Sequence, residues 1–316
     1  MKVVRIGTRG SALALAQAAW VKQRLEEEYP GGKVETLVIK TSGDRFLDTP
    51  VKAIGGKGIF VKEIEEALLR NEIDLAVHSL KDLPTEIAPG LTLAAMPERE
   101  DPRDVLISLN HVPLSGLPGN SRIGTGSLRR RAQLSHYRKD LSVVPIRGNI
   151  DTRLRKLDRG EFDALVMAAA GLKRMGWEHR ISEYLAPEIC LSAVAQGALG
   201  LESREGDWVA ERIAFLRHPP TAMEVMAERA LLRRLGGGCQ LPVAARAWFE
   251  KGKIRLMGVV AEVDGGKLFR AEISGEADRA ERLGEELAET LLKLGADEIL
   301  PPGQHQEEKA AGHGSR

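Results

Sequence analysis

At 316 residues the chain is too long for one compact core; at about 150 residues per domain it divides into two or three. Hydrophobic residues at 43% and charged residues at 29% exclude a mostly disordered chain. Lys+Arg 46 against Asp+Glu 45 leaves a net charge of +1, which argues against a general nucleic-acid or membrane-surface binder without excluding a local basic pocket. Two cysteines cannot build a disulfide framework, and the scarcity of Cys and His clusters argues against a structural metal site.

In chain order, Val3–Gly7 reads as a strand and Ser11–Glu28 as a helix capped by Ser11, with Leu13, Ala16, Trp20, Val21 and Leu25 on one face. Arg5 and Arg9 interrupt this N-terminus before a signal-peptide core forms. No window approaches the ~20 apolar residues of a membrane span, so the expected location is the cytoplasm. Val34–Lys40 reads as a strand, Phe60–Arg70 as a helix and Ile73–His78 as a buried strand. After Gly197 the pattern changes. Thr221–Leu235 reads as a helix, and Ala244–Phe249, Lys253–Val263 and Lys267–Ser274 as an antiparallel meander turning at Asp264-Gly265-Gly266. Asp278–Leu294 follows as an amphipathic helix, and residues 301–316 hold almost nothing to bury and are expected to be disordered.

The chain contains an internal repeat. RIGTRGS at Arg5–Ser11 resembles RIGTGS at Arg122–Ser127, and Leu68–Leu83 aligns without a gap to Leu157–Leu172. Two related α/β domains are therefore expected, with Pro97–Pro102 and Leu191–Glu202 as hinge strands and Gly43–Lys57 as an extra loop in the first copy. The repeat is also an internal control. His78, Ser79, Lys81 and Asp82 correspond to Met167, Ala168, Ala170 and Gly171, so the fold tolerates apolar residues there. Charges at the carboxyl end of a parallel strand lie where α/β sheets bind ligands. The bland alternative is a solvated ion pair worth little.

Both RIGT segments lead from a strand into a helix start, where free N–H groups and partial positive charge favour anions. The first copy adds Arg9 and Ser11; the second adds Thr125, Ser127, Arg129, Arg130 and Arg131. Arg147 lies at a strand end, Arg153 at a helix start and Arg155 just beyond. Such a cluster suits a ligand with several carboxylates, because guanidinium groups bind carboxylates in pairs of bonds. An exposed basic helix face is the ordinary alternative. Phosphate fits too, yet neither a P-loop nor a dinucleotide fingerprint is present. Cys190 lies in an apolar run and reads as inert core. Cys239, after three glycines in RLGGGCQLPVA, reads as an accessible thiol, a nucleophile or covalent attachment point.

Taken together, TRGSALALAQ, GGKGIFVKEIE, AVHSLKDLPT, GTGSLRRRAQL, IRGNIDTRL, AVAQGALGLE and GGGCQLPVA, in this order from Thr8 to Ala244, resemble the porphobilinogen deaminase (hydroxymethylbilane synthase) family. The resemblance implies two periplasmic-binding-protein-like α/β domains joined by hinge strands, plus a smaller α+β domain with a three-stranded antiparallel sheet. It implies a transferase that condenses four porphobilinogen molecules head to tail with loss of ammonia and releases linear hydroxymethylbilane. It implies a dipyrromethane cofactor attached through Cys239. By motif, Asp82 matches the catalytic aspartate, expected as a buried carboxylate steadying the cationic azafulvene. Lys81, Ser127, Arg129 and Arg130 match cofactor-binding positions, and Arg9, Ser11, Arg147, Arg153 and Gln196 match substrate-binding ones. Lys57 and Phe60 match a mobile loop; where relatives carry a second lysine, this chain has Ala53 beside Lys52.

The implied domains are 1–97 with 198–216, 98–197 and 217–300. The implied partner is porphobilinogen alone, with no metal, nucleic acid or membrane, acting on a monomer. A non-enzymatic two-lobed anion sensor is the alternative, and it needs neither Cys239 nor Asp82. A nucleic-acid binder using the arginine helix is disfavoured by the neutral charge balance.

Overall fold

The computed structural model describes residues 2–42, 61–236 and 241–300. Lys57, Phe60, Cys239, the Lys52–Ala53 pair and the 301–316 tail lie outside the described residues.

Three sheets organise the chain. The first contains β1 (Val4–Thr8), β2 (Val34–Val38), β3 (Leu75–Ser79), β4 (Leu91–Ala95) and β10 (Leu199–Arg204), in the order β2-β1-β3-β10-β4. The second contains β5 (Asp104–Ser108), β6 (Arg122–Gly124), β7 (Ser142–Val144), β8 (Ala164–Ala168) and β9 (Glu183–Tyr184), in the order β7-β6-β8-β5-β9. In each, three strands run parallel and the fourth in the order is antiparallel to its neighbours. The third sheet is the antiparallel meander β11 (Val243–Glu250), β12 (Lys253–Ala261) and β13 (Leu268–Glu276). The fold is thus two five-stranded α/β units of matching strand order with a small α+β unit.

The sequence repeat is a structural one. The alignment of 68–83 with 157–172 lays β3 on β8 residue for residue. Each copy opens on the same clasp. Arg5 N donates to Asp74 Oδ2 at 2.9 Å, and Arg122 N donates to Asp163 Oδ2 at 2.6 Å. Both following helices, α1 (Ala12–Glu28) and α3 (Leu128–Tyr137), are capped by the repeat serine. Ser11 accepts from Ala14 N at 3.3 Å and Ser127 from Arg130 N at 3.4 Å. The stripe expected on α1 is rotated. Val21 and Leu25 are buried with Gln17 and Ala18, whereas Trp20 is 41% exposed. Gln17 turns inward because its amide donates to Ser79 Oγ at 2.8 Å, which removes the penalty of burying it.

Helix α2 (Lys62–Leu69) covers the first sheet, while α4 (Ile150–Asp158) and α5 (Ala169–Arg174) flank β8 in the second. The chain passes between the two sheets twice, through 96–103 and 191–198. The crossings touch at Gly197, where a Cβ would lie 2.2 Å from Glu100 O and φ is +88°; only glycine fits there.

The short helix α6 (Trp208–Arg212) leads to α7 (Pro219–Arg234), which packs with α8 (Ala280–Lys293) on one face of the third sheet. Leu283, Leu287 and Leu291 on α8 are buried at helical spacing, each contributing about 1.5–3 kcal/mol. Glu228 on α7 is fully buried. It takes two bonds from Arg99 at 2.7 and 3.0 Å, one from Ala195 N at 2.7 Å and one from Ala247 N at 2.8 Å. One carboxylate therefore ties both crossings to β11, and holds Ala195 at a φ of +57° that a non-glycine residue adopts only under constraint.

Candidate active site

The first half of the site is the turn after β3. Leu80 is buried and its N–H donates to Ala198 O at 3.0 Å, so the turn Leu80–Asp82 is pinned to the crossing. This leaves Lys81 half-buried and Asp82 exposed. The expectation of a buried Asp82 is not met: the turn buries Leu80 and Leu83 on one side and so directs Asp82 outward. Of the neighbouring polar residues, Ser79 holds Gln17, and His78 Nε2 lies 3.0 Å from Glu202 Oε2 in the interior of the sheet. Burial pushes the Lys81 ammonium down to about 8; Arg130 and Arg129 push the same way and Asp82 and Asp104 oppose them.

The second half is the start of α3. Arg129 and Arg130 occupy its first turn and are buried, while Arg131 points to solvent. Both buried guanidinium groups converge on Asp104, the first residue of β5. Arg129 Nη1 donates to Oδ2 at 2.6 Å, and Arg130 donates to Oδ1 from Nε at 3.0 Å and Nη2 at 2.8 Å. Gln196 Nε2 adds a bond to Oδ1 at 2.8 Å, and the Cys190 thiol one to Oδ2 at 3.2 Å. Burial alone would raise the Asp104 carboxyl; the two guanidinium groups outweigh it and hold it well below the usual carboxylate range. Burial, followed by Asp104, pushes the Cys190 thiol up to about 12, which agrees with an inert core cysteine.

Arg153 donates from Nε to Gly148 O at 2.7 Å and lies against the α3 start, its Nη2 3.8 Å from where a Cβ on Gly126 would sit. Burial first, then repulsion by Arg130 and Arg147, brings its guanidinium down to about 10. Arg147 is exposed beside it. Lys81 thus lies within the field of Asp82, Arg129 and Arg130, Arg153 within that of Arg130 and Arg147, and Gln196 joins the group by its hydrogen bonds to Asp104 and Arg130. Ser127 stands at its edge as the helix cap. The Gln196 amide is occupied, donating also to Pro102 O at 2.7 Å and accepting from Arg130 Nη2 at 3.3 Å. Arg9 is half-buried in the β1–α1 turn, and Ser11 serves as the α1 cap.

Two residues of this region carried no sequence expectation. Asp104 opens an otherwise apolar strand, DVLIS, and that isolated charge is the only signal in the sequence. Arg174 ends α5 and donates to Gly197 O at 2.7 Å, its guanidinium brought down to about 10 by burial. No group of three or more His, Cys, Asp or Glu side chains arranged to hold a metal occurs among the described residues. No helix among them is long and apolar enough to cross a membrane.

Buried arginines at the start of α3 and an acid-bearing turn after β3 in the other α/β unit are the equipment of an anion-handling protein. Comparison with known proteins makes it specific. The model of "porphobilinogen deaminase, dipyromethane cofactor binding domain" matches residues 4–212, and that of "porphobilinogen deaminase, C-terminal domain" matches 222–293. Porphobilinogen deaminase of Pelobacter propionicus is 56% identical over 94% of this chain and 96% of its own; that of Geobacter sulfurreducens is 54% identical over 94% and 93%. A putative methionine-binding lipoprotein of Bacillus subtilis covers 69% of this chain and 90% of its own at 12% identity and a TM-score of 0.43. The chain belongs to the porphobilinogen deaminase family. It is a transferase of tetrapyrrole biosynthesis that uses a dipyrromethane cofactor and joins four porphobilinogen molecules into hydroxymethylbilane.

Proposed function

We propose that Asp82 is the carboxylate that moves protons during each condensation, and that Lys81, Ser127, Arg129 and Arg130 hold the cofactor's carboxylates. The observation that carries this reading is that one crossing joins both parts: Ala198 O accepts from Leu80 N–H in the Asp82 turn at 3.0 Å, and Gln196 Nε2 donates at 2.8 Å to Asp104, on which Arg129 and Arg130 converge. The residues present fit an acidic group. Among the described residues, Nε and Nη2 of Arg129 take no acceptor, so donors remain for a ligand after Asp104 is bound. The dipyrromethane, when bound, supplies the primer to which pyrroles are added.

Asp82, exposed and next to an ammonium, is placed to accept a proton from a pyrrole nitrogen or to steady one on a leaving amine. Arg9, Ser11, Arg147 and Arg153 bind the acetate and propionate groups of incoming units, each guanidinium presenting paired N–H bonds. Gln196 acts through Arg130 and Asp104, which take up its amide. Lys57 and Phe60 are assigned to a closing loop, and Cys239, which three glycines precede in the sequence, to the cofactor's anchor. The same reading gives domains 1–97 with 198–216, 98–197 and 217–300. It gives a cytoplasmic monomer without nucleic-acid or membrane partners.

The test is the intact mass of the denatured protein. The unsubstituted chain is expected to be heavier than its sequence by a two-pyrrole adduct, and added porphobilinogen should produce a ladder of further units. Cys239→Ser should remove the adduct. A bare chain that still makes hydroxymethylbilane would overturn the assignment of Cys239.

A further inference from the structure

We propose that Asp104 is a positioning residue for the condensation: it fixes the rear edges of Arg129 and Arg130 so that their remaining N–H groups face the cofactor, and Cys190 and Gln196 hold it in place. The inference rests on the reading of these arginines as cofactor ligands given above.

Five donors reach the two oxygens of this one buried carboxylate: Arg129 Nη1 and the Cys190 thiol on Oδ2, and Arg130 Nε, Arg130 Nη2 and Gln196 Nε2 on Oδ1. A carboxylate so saturated has one orientation, and each arginine bound to it loses its rotamer freedom before any ligand arrives. Arg130 spends Nε and Nη2 on Asp104, Nη2 also on Gln196 Oε1 at 3.3 Å, and one N–H of Nη1 on Val166 O at 3.2 Å, which leaves one Nη1 N–H for a ligand. Arg129 is held through Nη1 alone, which also donates to Leu191 O. Two guanidinium groups on one carboxylate leave a net positive charge directed away from Asp104.

The repeat supplies the control. In the first copy, the positions of Arg129 and Arg130 after the capping serine are Leu13 and Ala14. The position of Asp104, paired across the sheet with Ala168, is Leu199, paired with Ser79. Where the arginines are absent the fold places a buried leucine; where they are present it places a buried acid. The sheet does not need the charge, so its purpose lies with the arginines. Cys190 is the buried thiol behind the carboxylate, and its S–H is directed at Oδ2.

The experiment compares full-length Asp104→Asn, Cys190→Ala and Cys190→Ser with the unsubstituted enzyme. It reads the fraction of chain carrying the two-pyrrole adduct by denatured intact mass, and the kcat per adduct-bearing chain. Counting turnover per loaded chain removes any loss that is merely structural. Asp104→Asn is expected to lower the loaded fraction and to reduce kcat per loaded chain by about tenfold or more, since misplacing a reacting group by about 1 Å costs as much as 10²-fold. Cys190→Ala should reduce it about threefold, the effect of one lost hydrogen bond, and Cys190→Ser, which restores a donor, should recover it. Values within about twofold of the unsubstituted enzyme for Asp104→Asn and Cys190→Ala together overturn the proposal. If Asp104→Asn does not fold, the Cys190 pair decides alone. Arg129→Lys and Arg130→Lys separate the underlying reading: full loading and turnover in both would overturn their role as cofactor ligands, and the proposal with it.

Discussion

The ends of β3 and β8 occupy the same place in two copies of one sheet, yet they share almost no chemistry. After β3 come Lys81 and Asp82; after β8 come Ala170 and Gly171, in a helix whose first four residues are apolar and buried. At the helix starts the asymmetry is reversed. The first copy follows its cap with Ala12, Leu13 and Ala14, the second with Leu128, Arg129 and Arg130. Each copy has kept what the other lacks. The acid-bearing turn thus belongs to one wall, the first copy, and the paired buried arginines to the other, the second.

The largest expected effect removes the acid from that comparison. Asp82→Ala should keep the fold, since Asp82 is exposed, and reduce kcat by about 10²–10⁴, the range for loss of a general acid–base group. Thermal unfolding and steady-state turnover measured together check both halves. Placing the acid on the other wall should not compensate. Asp82→Ala/Gly171→Asp is expected to stay as inactive as Asp82→Ala alone, because the equivalent place in the fold faces Ile150 and Leu13 rather than a proton acceptor. Recovery of turnover would show the two walls to be interchangeable.

A smaller effect concerns stability. A Cβ at Gly171 would lie 2.9 Å from Ile150 Cδ1 and 3.8 Å from Leu13 Cδ2, across the junction of the two copies. Gly171→Ala should be near neutral, because the flexible end of Ile150 yields and helix propensity improves by about 1 kcal/mol. Gly171→Leu should destabilise by about 1–3 kcal/mol through overpacking. Denaturant midpoints distinguish the two.

The sequence carried the repeat, the serine caps, the third sheet and its turn, because each depends on local pattern: strand period, helix period and turn chemistry. Arg129 and Arg130 were legible as cations but not as a fixed pair, because their orientation is set by Asp104, which precedes them by two dozen residues and meets them only once β5 lies beside β8. Nothing local separates them from Arg131, yet helical geometry turns that third arginine to solvent. Gln17 misled the α1 stripe for the same reason: its partner Ser79 lies in β3, and a hydropathy pattern does not see a hydrogen bond across the fold. Asp82 was legible by motif and by the repeat, whereas its exposure follows from Leu80 and Leu83 turning inward beside it.

The smallest expected effect tests whether the acid-bearing wall carries a stability cost for its function. Lys81 has its ammonium brought down to about 8, chiefly by burial, from an ordinary value of 10.5. Between these two values the unfolded chain binds more protons than the folded one, so stability rises with pH through that window and the cost is fully present below it. In the cofactor-free Cys239→Ser background, Lys81→Met should therefore stabilise the chain at pH 7, by about 1–2 kcal/mol once solvent screening is allowed for, or a few degrees in Tm. The advantage should shrink as pH rises from 8 to 10.5. In the Cys239-containing chain the same substitution should lower cofactor loading, since it removes a cation from beside Arg129 and Arg130. Ala170→Lys, which places an ammonium at the corresponding point of the apolar wall, should destabilise without improving loading. A Lys81→Met chain no more stable than its parent at pH 7 would mean that water reaches this ammonium freely, and that the two walls differ in chemistry but not in cost.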